Sequence, residues 1–115
     1  MTNKRSVGGN REQLAGQYLT DKGMTVIARN YHTRMAEIDL ICKDGDTYVF
    51  VEVKYRSGLA QGHPLEAVTP AKQGRIRKAA LMFLEDRNLV PDVTPIRFDV
   101  VGILDEEIFH VEDAF

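Results

Sequence analysis

The chain has 115 residues, 43% hydrophobic and 28% charged, with a formal net charge of −2. That is long enough for one hydrophobic core and too short for two, and the mild acidity argues against a protein that coats nucleic acid over its whole surface. No apolar run approaches a membrane span, the start lacks the apolar centre of a secretory signal, and the single Cys42 excludes an intrachain disulfide or a cysteine-based zinc cluster. A cytoplasmic protein with no membrane partner is expected.

Residues 1–10 contain adjacent glycines and read as a flexible arm, leaving 11–115 as a single domain. Leu14, Ala15, Tyr18 and Leu19 recur at helical spacing from about Arg11 to Lys22, and Gly23 provides a stop. Glu12 lies at the edge of this buried stripe; it either reaches inward or serves as a first-turn acid favoured by the helix dipole. "MTVIARNYH" reads as a short strand through Val26, Ile27 and Tyr31.

The stretch from Ala36 to Arg56 reads as a hairpin around Asp44-Gly45. With those two residues central, Lys43 pairs with Asp46, Ile41 with Tyr48, Leu40 with Val49, Asp39 with Phe50, Ile38 with Val51 and Glu37 with Glu52. One face then collects Ile38, Leu40, Val49, Val51 and Val53. The other collects Glu37, Asp39, Glu52 and Lys54.

Three acids on one patch of sheet repel one another. A solvated outer face, with Lys54 and Arg56 offsetting the acids, explains them. So does a site for a hard divalent cation, because Mg²⁺ takes one or two carboxylates together with water and phosphate oxygens, and Asp39 and Glu52 are placed to supply the two. Lys54 projects from the same face about 6.6–6.8 Å beyond Glu52. Such a set is suited to orienting water and neutralising charge on a phosphate.

A glycine-containing loop from Ser57 to Val68 leads to Thr69-Pro70, an N-cap followed by proline at the first helical position, and a second helix runs to about Asn88. Ile76, Ala80, Phe83 and Leu84 bury one side. Lys72, Arg75, Arg77 and Lys78 crowd its first half beside Gln73, either as a solvated helix face or as a track for a phosphate backbone. After Pro91, "PIRFDVVGIL" and "EIFHVE" make a closing strand pair, with Arg97 and Asp99 on one face. His32, His63 and His110 lack metal-ligand spacing and are expected in surface or hydrogen-bonding roles. The element order predicts an α/β or α+β protein with helices packed on a mixed sheet.

Asp39 followed by Glu52-Val53-Lys54 on the next strand resembles the D…(D/E)xK core of restriction-endonuclease-like nucleases. With "EIDLI", "VFVEVKYR", "AVTPAKQGRIRKAA", "RFDVV" and "HVEDAF", the chain from about Gly8 onward resembles the bacterial YraN-like family, related in fold to Holliday-junction resolvases. The resemblance implies an α/β restriction-endonuclease-like core, a mixed β-sheet with flanking helices. It also implies a Mg²⁺- or Mn²⁺-dependent endonuclease acting on duplex or branched DNA. Asp39, Glu52, the Val53 carbonyl and Glu12 would hold the metal, and Lys54 would assist the water. Lys72, Gln73, Arg75 and Lys78 would contact nucleic acid, with Glu37 and Arg56 as accessory residues. The chain departs from the pattern at Ala36 and Arg11, where the family tends to show glycine, and at Ile38, where the superfamily's proline would stand. A nucleic-acid-binding module without cleavage and a protein-interaction adaptor are the competing readings. A homodimer is compatible with the sequence and not required by it.

Overall fold

A computed structural model describes the backbone from Val7 to Phe115 and the side chains from Arg11 onward. The elements run in the order helix α1 (Val7–Asp21), strands β1 (Thr25–His32), β2 (Glu37–Asp44) and β3 (Thr47–Arg56), helix α2 (Pro70–Asp86), and strands β4 (Ile96–Leu104) and β5 (Glu107–Val111). The strands lie side by side in sequence order, antiparallel except for β3 and β4, which are parallel and joined through α2. This is the predicted mixed sheet with flanking helices. Helix α1 begins at Val7, within the segment read as an arm; the part of that arm before Val7 lies outside the described residues.

Each face of the sheet carries one helix. Ala15 and Leu19 of α1 pack on Leu40, Cys42, Val49, Val51, Val101 and Ile103. On the other face Ile76, Ala79, Ala80, Phe83 and Leu84 of α2 cover Ile41, Phe50 and Phe98. A sheet buried on both sides explains why β3 and β4 read as near-continuous apolar runs and why the acids in them stand out. Ile38 departs from the predicted alternation: it packs with the α2 layer instead of sharing the α1 face with Leu40. The cause lies in the strand pairing. Leu40 and Val51 are the last paired residues of β2 and β3, and beyond them β2 follows β1 instead, with Ile38 opposite Tyr31.

The hairpin register also differs from the prediction. Gly45 and Asp46 form the turn, Asp44 pairs with Thr47, and every partner is displaced by two residues. Gly45 takes the positive φ of +61° at the first central position, where glycine carries no steric penalty. Asp44 remains in the strand, with its carboxylate held by Arg97 Nη1 at 2.8 Å. A shift of two preserves the faces because the side-chain period is two. One further step of the observed count brings Asp39 abreast of Glu52, where the predicted register makes them diagonal neighbours.

The loop between β3 and α2 folds down onto the sheet as a single 3₁₀ turn, Pro64–Glu66, capped by His63. It meets β4 at Gly102, where a Cβ would come within 3.0 Å of Leu65. Gly102 pairs with Lys54, so the turn and the start of α2 wall off the end of the sheet face that carries Glu52 and Lys54.

Candidate metal and phosphate site

The site is assembled where β2 leaves β3. With no backbone partner from β2 beyond Leu40, the Val53 N–H donates to Asp39 Oδ2 at 2.8 Å, so a carboxylate substitutes for a ladder carbonyl and is fixed beside Glu52. Glu52 is 3% exposed, and two lysines converge on its Oε2: Lys72 Nζ at 2.5 Å and Lys54 Nζ at 3.4 Å. These are ionic contacts without the alignment of a hydrogen bond, so Oε2 has charge neutralisation but no directional donor.

Asp39 and Glu52 interact as a carboxyl pair. Burial, then the charge of Glu52, push the Asp39 pKa up from 3.8 to about 7, against the lowering effect of the Val53 N–H; the Glu12 charge adds to the rise. Two carboxylates this close resist being ionised together unless a cation joins them. Burial lowers the Lys54 pKa, and the neighbouring Lys72 lowers it further. Lys72 moves the other way: burial opposes its charge most, but the contacts with Glu52 and Lys54 and the charges of Glu52 and Asp39 together outweigh that and raise its pKa. Lys54 is thus the lysine that gives up a proton more readily, the direction a proton acceptor requires.

Glu12 comes from α1 and is half-buried, with its charge near enough to Asp39 to raise that pKa. Asn30 of β1, with its amide nitrogen turned toward the two carboxylates that flank it, donates to Glu12 Oε1 at 3.1 Å and to Glu37 Oε2 at 3.0 Å. Asn30 holds a positive φ of 50°, a backbone state that asparagine tolerates better than most residues. Glu37 is also met by His32 Nδ1 at 3.0 Å and is exposed. Sequence reasoning missed Asn30; a polar residue in a short edge strand carries no spacing signal.

The basic track is only partly as predicted. Lys72 turns inward onto Glu52, and Gln73 Nε2 donates to the Val68 carbonyl at 3.2 Å, tying the loop to α2. Arg75 and Lys78 remain exposed. Arg56 lines a cavity of about 260 Å³ with Tyr55, Ser57, Gly58, Ala60 and Gln61; its Nη1 donates to the Tyr55 carbonyl, while its buried Nε has no partner.

Among the described residues no three His, Cys, Asp or Glu side chains stand close enough to enclose an ion. Asp39 and Glu52 nevertheless fit Mg²⁺ or Mn²⁺, because such an ion keeps several waters and needs only one or two carboxylates. The two ammonium groups drawn to Glu52 Oε2 mark that oxygen as a point where cations gather. The Val53 amide is engaged in orienting Asp39, which places its backbone at the pair.

A separate buried polar cluster lies on the α1 side. Asp99, fully buried, meets Arg97 Nε at 3.0 Å, His110 Nε2 at 2.7 Å and the Asp113 N–H at 3.0 Å. Lys22 Nζ lies 2.8 Å from His110 Nδ1, so His110 Nε2 carries the proton donated to Asp99. Burial raises the Asp99 pKa, but the hydrogen bonds from His110, Arg97 and the Asp113 N–H outweigh it and hold it low. With its donors satisfied, this cluster locks the C-terminal segment to the sheet.

The fold and the site define an α/β protein with a five-stranded mixed sheet, helices on both faces, and a carboxylate pair, Glu52 buried and Asp39 half-buried, with two lysines on Glu52. Residues 11–103 match the model of the uncharacterised protein family UPF0102, and the chain belongs to that family, the YraN-like family its motifs resemble. Similar proteins named as UPF0102 proteins include one from Lachnoclostridium phytofermentans, 44% identical across 98% of this chain and 95% of its own. Another from Rhodococcus jostii is 45% identical across the whole of both chains, and one from Chlorobium limicola is 51% identical across 86% of this chain and 75% of its own. No helix among the described residues is long and apolar enough to cross a membrane.

Proposed function

We propose that the protein is a metal-dependent nuclease that hydrolyses phosphodiester bonds in DNA, with Asp39 and Glu52 as the carboxylates that hold Mg²⁺ or Mn²⁺. The carrying observation is the buried Glu52 oxygen approached by Lys72 at 2.5 Å and Lys54 at 3.4 Å, beside an Asp39 whose pKa stands at about 7. A solvated acidic face would not bury Glu52 to 3% exposure.

A bound divalent ion would supply charge neutralisation for the phosphate and acidify a nearby water. The chain's own residues do the rest. The Val53 amide fixes the Asp39 carboxylate, and the Asn30 amide bridges Glu12 and Glu37. Lys54, once its ammonium group has given up a proton to solvent, a loss its lowered pKa favours, is suited as a neutral amine to accepting the water's proton as the water oxygen bonds to phosphorus and the phosphorus–oxygen bond to the leaving group breaks. Arg75 and Lys78 offer exposed positive charge along α2 for flanking phosphates.

A non-catalytic DNA-binding module on the same scaffold is the second reading. It is favoured by Lys72 standing on the oxygen a metal would need. Incubation with duplex, nicked, flapped and four-way DNA in Mg²⁺ or Mn²⁺ separates the two. Metal-dependent cleavage of at least one substrate is expected; binding to all of them with no cleavage under either ion would support the module.

A further inference from the structure

Lys72 has an unusual station for a residue on a basic helix. Its backbone is fixed at the third position of α2, where its N–H donates to the Thr69 hydroxyl at 3.2 Å. Its side chain, 31% exposed, crosses from the helix to the sheet and ends 2.5 Å from Glu52 Oε2, an oxygen otherwise shielded from solvent. Lys54 arises from the same strand as Glu52 and stays farther off, at 3.4 Å. The closer contact is therefore made by a side chain from another element.

We propose that Lys72 is a built-in occupant of the cation seat: its ammonium group neutralises Glu52 in the metal-free protein, and a divalent ion must displace it to bind. The inference rests on the reading that Asp39 and Glu52 hold the metal, and it adds a competitor built into the chain. An ion held by Glu52 Oε2 and an ammonium group in contact with the same oxygen would be near neighbours. At any given separation a divalent ion repels an ammonium group twice as strongly as a second ammonium group would. Lys72 has a way out. Its exposed, unbranched stem lets the ammonium swing to solvent while the backbone stays capped. The missing directional hydrogen bond at Oε2 means that no aligned bond is broken in the exchange.

The competition makes a prediction opposite in sign to that for an ordinary ligand-site lysine. Mn²⁺ binding to the full chain is measured by electron paramagnetic resonance of the free ion, for wild type, Lys72→Met, Arg75→Met and Glu52→Gln. Lys72→Met keeps the stem and removes the competing charge, so it should bind Mn²⁺ about 1.4- to fivefold more tightly, the range for loss of a partly exposed ion pair. Arg75→Met removes the same charge one helical turn away and should shift affinity far less. Glu52→Gln should lose the site. Folded Lys72→Met that binds Mn²⁺ as wild type does, or more weakly, would overturn the proposal and leave Lys72 a structural ion pair. Wild type with no Glu52-dependent Mn²⁺ binding would overturn the metal reading itself and the proposal with it. If Lys72→Met fails to fold, the wild-type Lys72 side-chain ¹³Cε resonance decides: it should move to a solvent-like position with saturating Mg²⁺, and an unmoved resonance would overturn the exchange.

Discussion

Asp39→Asn isolates the electrostatic burden of the acidic pair. Asparagine retains an oxygen to accept the Val53 N–H, now 2.8 Å from Asp39 Oδ2, and removes only the charge. In the folded protein the Asp39 pKa is raised from 3.8 to about 7, so between those values the native state binds more protons than the unfolded chain. Stability from this group therefore falls as pH rises through that window, and the full penalty is present above it. A rise of about 3 units corresponds to at most about 4 kcal/mol, an upper bound because the carboxyl pair shares the effect. Half of that, at about 4–8 °C per kcal/mol for a domain near 100 residues, is about 8–16 °C. Thermal melts of chelator-treated protein should show Asp39→Asn above wild type at pH 8, with the gap closing toward pH 4. Divalent metal should act in the opposite sense. At ten times its dissociation constant it stabilises wild type by about 1.4 kcal/mol, or about 6–11 °C, and leaves the variant nearly unmoved. A wild type indifferent to metal, together with an Asp39→Asn variant less stable than wild type at pH 8, would refute the reasoning and make Asp39 a structural acceptor.

Reversing Arg75 and Lys78 to glutamate should weaken binding to all DNA sequences alike and flatten the salt dependence by about 0.9 in log–log slope for each phosphate no longer neutralised, as read by fluorescence anisotropy at several salt concentrations. Asp99→Ala leaves Arg97 and His110 without their buried acceptor and should cost about 3–5 kcal/mol, seen in urea unfolding. Because the folded-state Asp99 pKa is depressed, that gap should be full above the ordinary value of 3.8 and shrink as pH falls below it. Gly102→Ala drives a methyl group to 3.0 Å from Leu65 and should lower stability by about 1–3 kcal/mol in the same assay, by pushing the 3₁₀ turn off the sheet.

Asp39, Glu52 and Lys54 are legible in the sequence because strand alternation interrupted by charge is a local signal, and a register error of two residues leaves it intact. Glu12 is legible only as an alternative, since its place on α1 allows either an inward or a solvated orientation. Lys72 reads as one cation of a basic helix face, and its contact with Glu52 is not legible there. Helical spacing gives its angle around α2 but not how α2 docks on the sheet, and docking decides that it meets Glu52. The divergence of β2 from β3 after Leu40, which moves Ile38 to the α2 layer and frees the Val53 N–H for Asp39, arises from competition between two neighbouring strands. Asn30, and the joining of Asp99 to His110 and Lys22, depend on contacts between distant segments that no short window contains.

The most direct test compares wild type and Glu52→Gln, purified side by side, on the best substrate of the DNA panel under single-turnover conditions with Mn²⁺. Glutamine preserves the shape of the buried side chain and removes the charge on which Lys54 and Lys72 converge and which the proposed metal would use. The expected result is cleavage by wild type that a chelator stops, and a rate for Glu52→Gln lower by about 10²–10³, the scale for losing one charge-stabilising group at a reacting centre. Equal rates for the two proteins, with both correctly folded, would contradict the assignment of this carboxylate pair as the nuclease site.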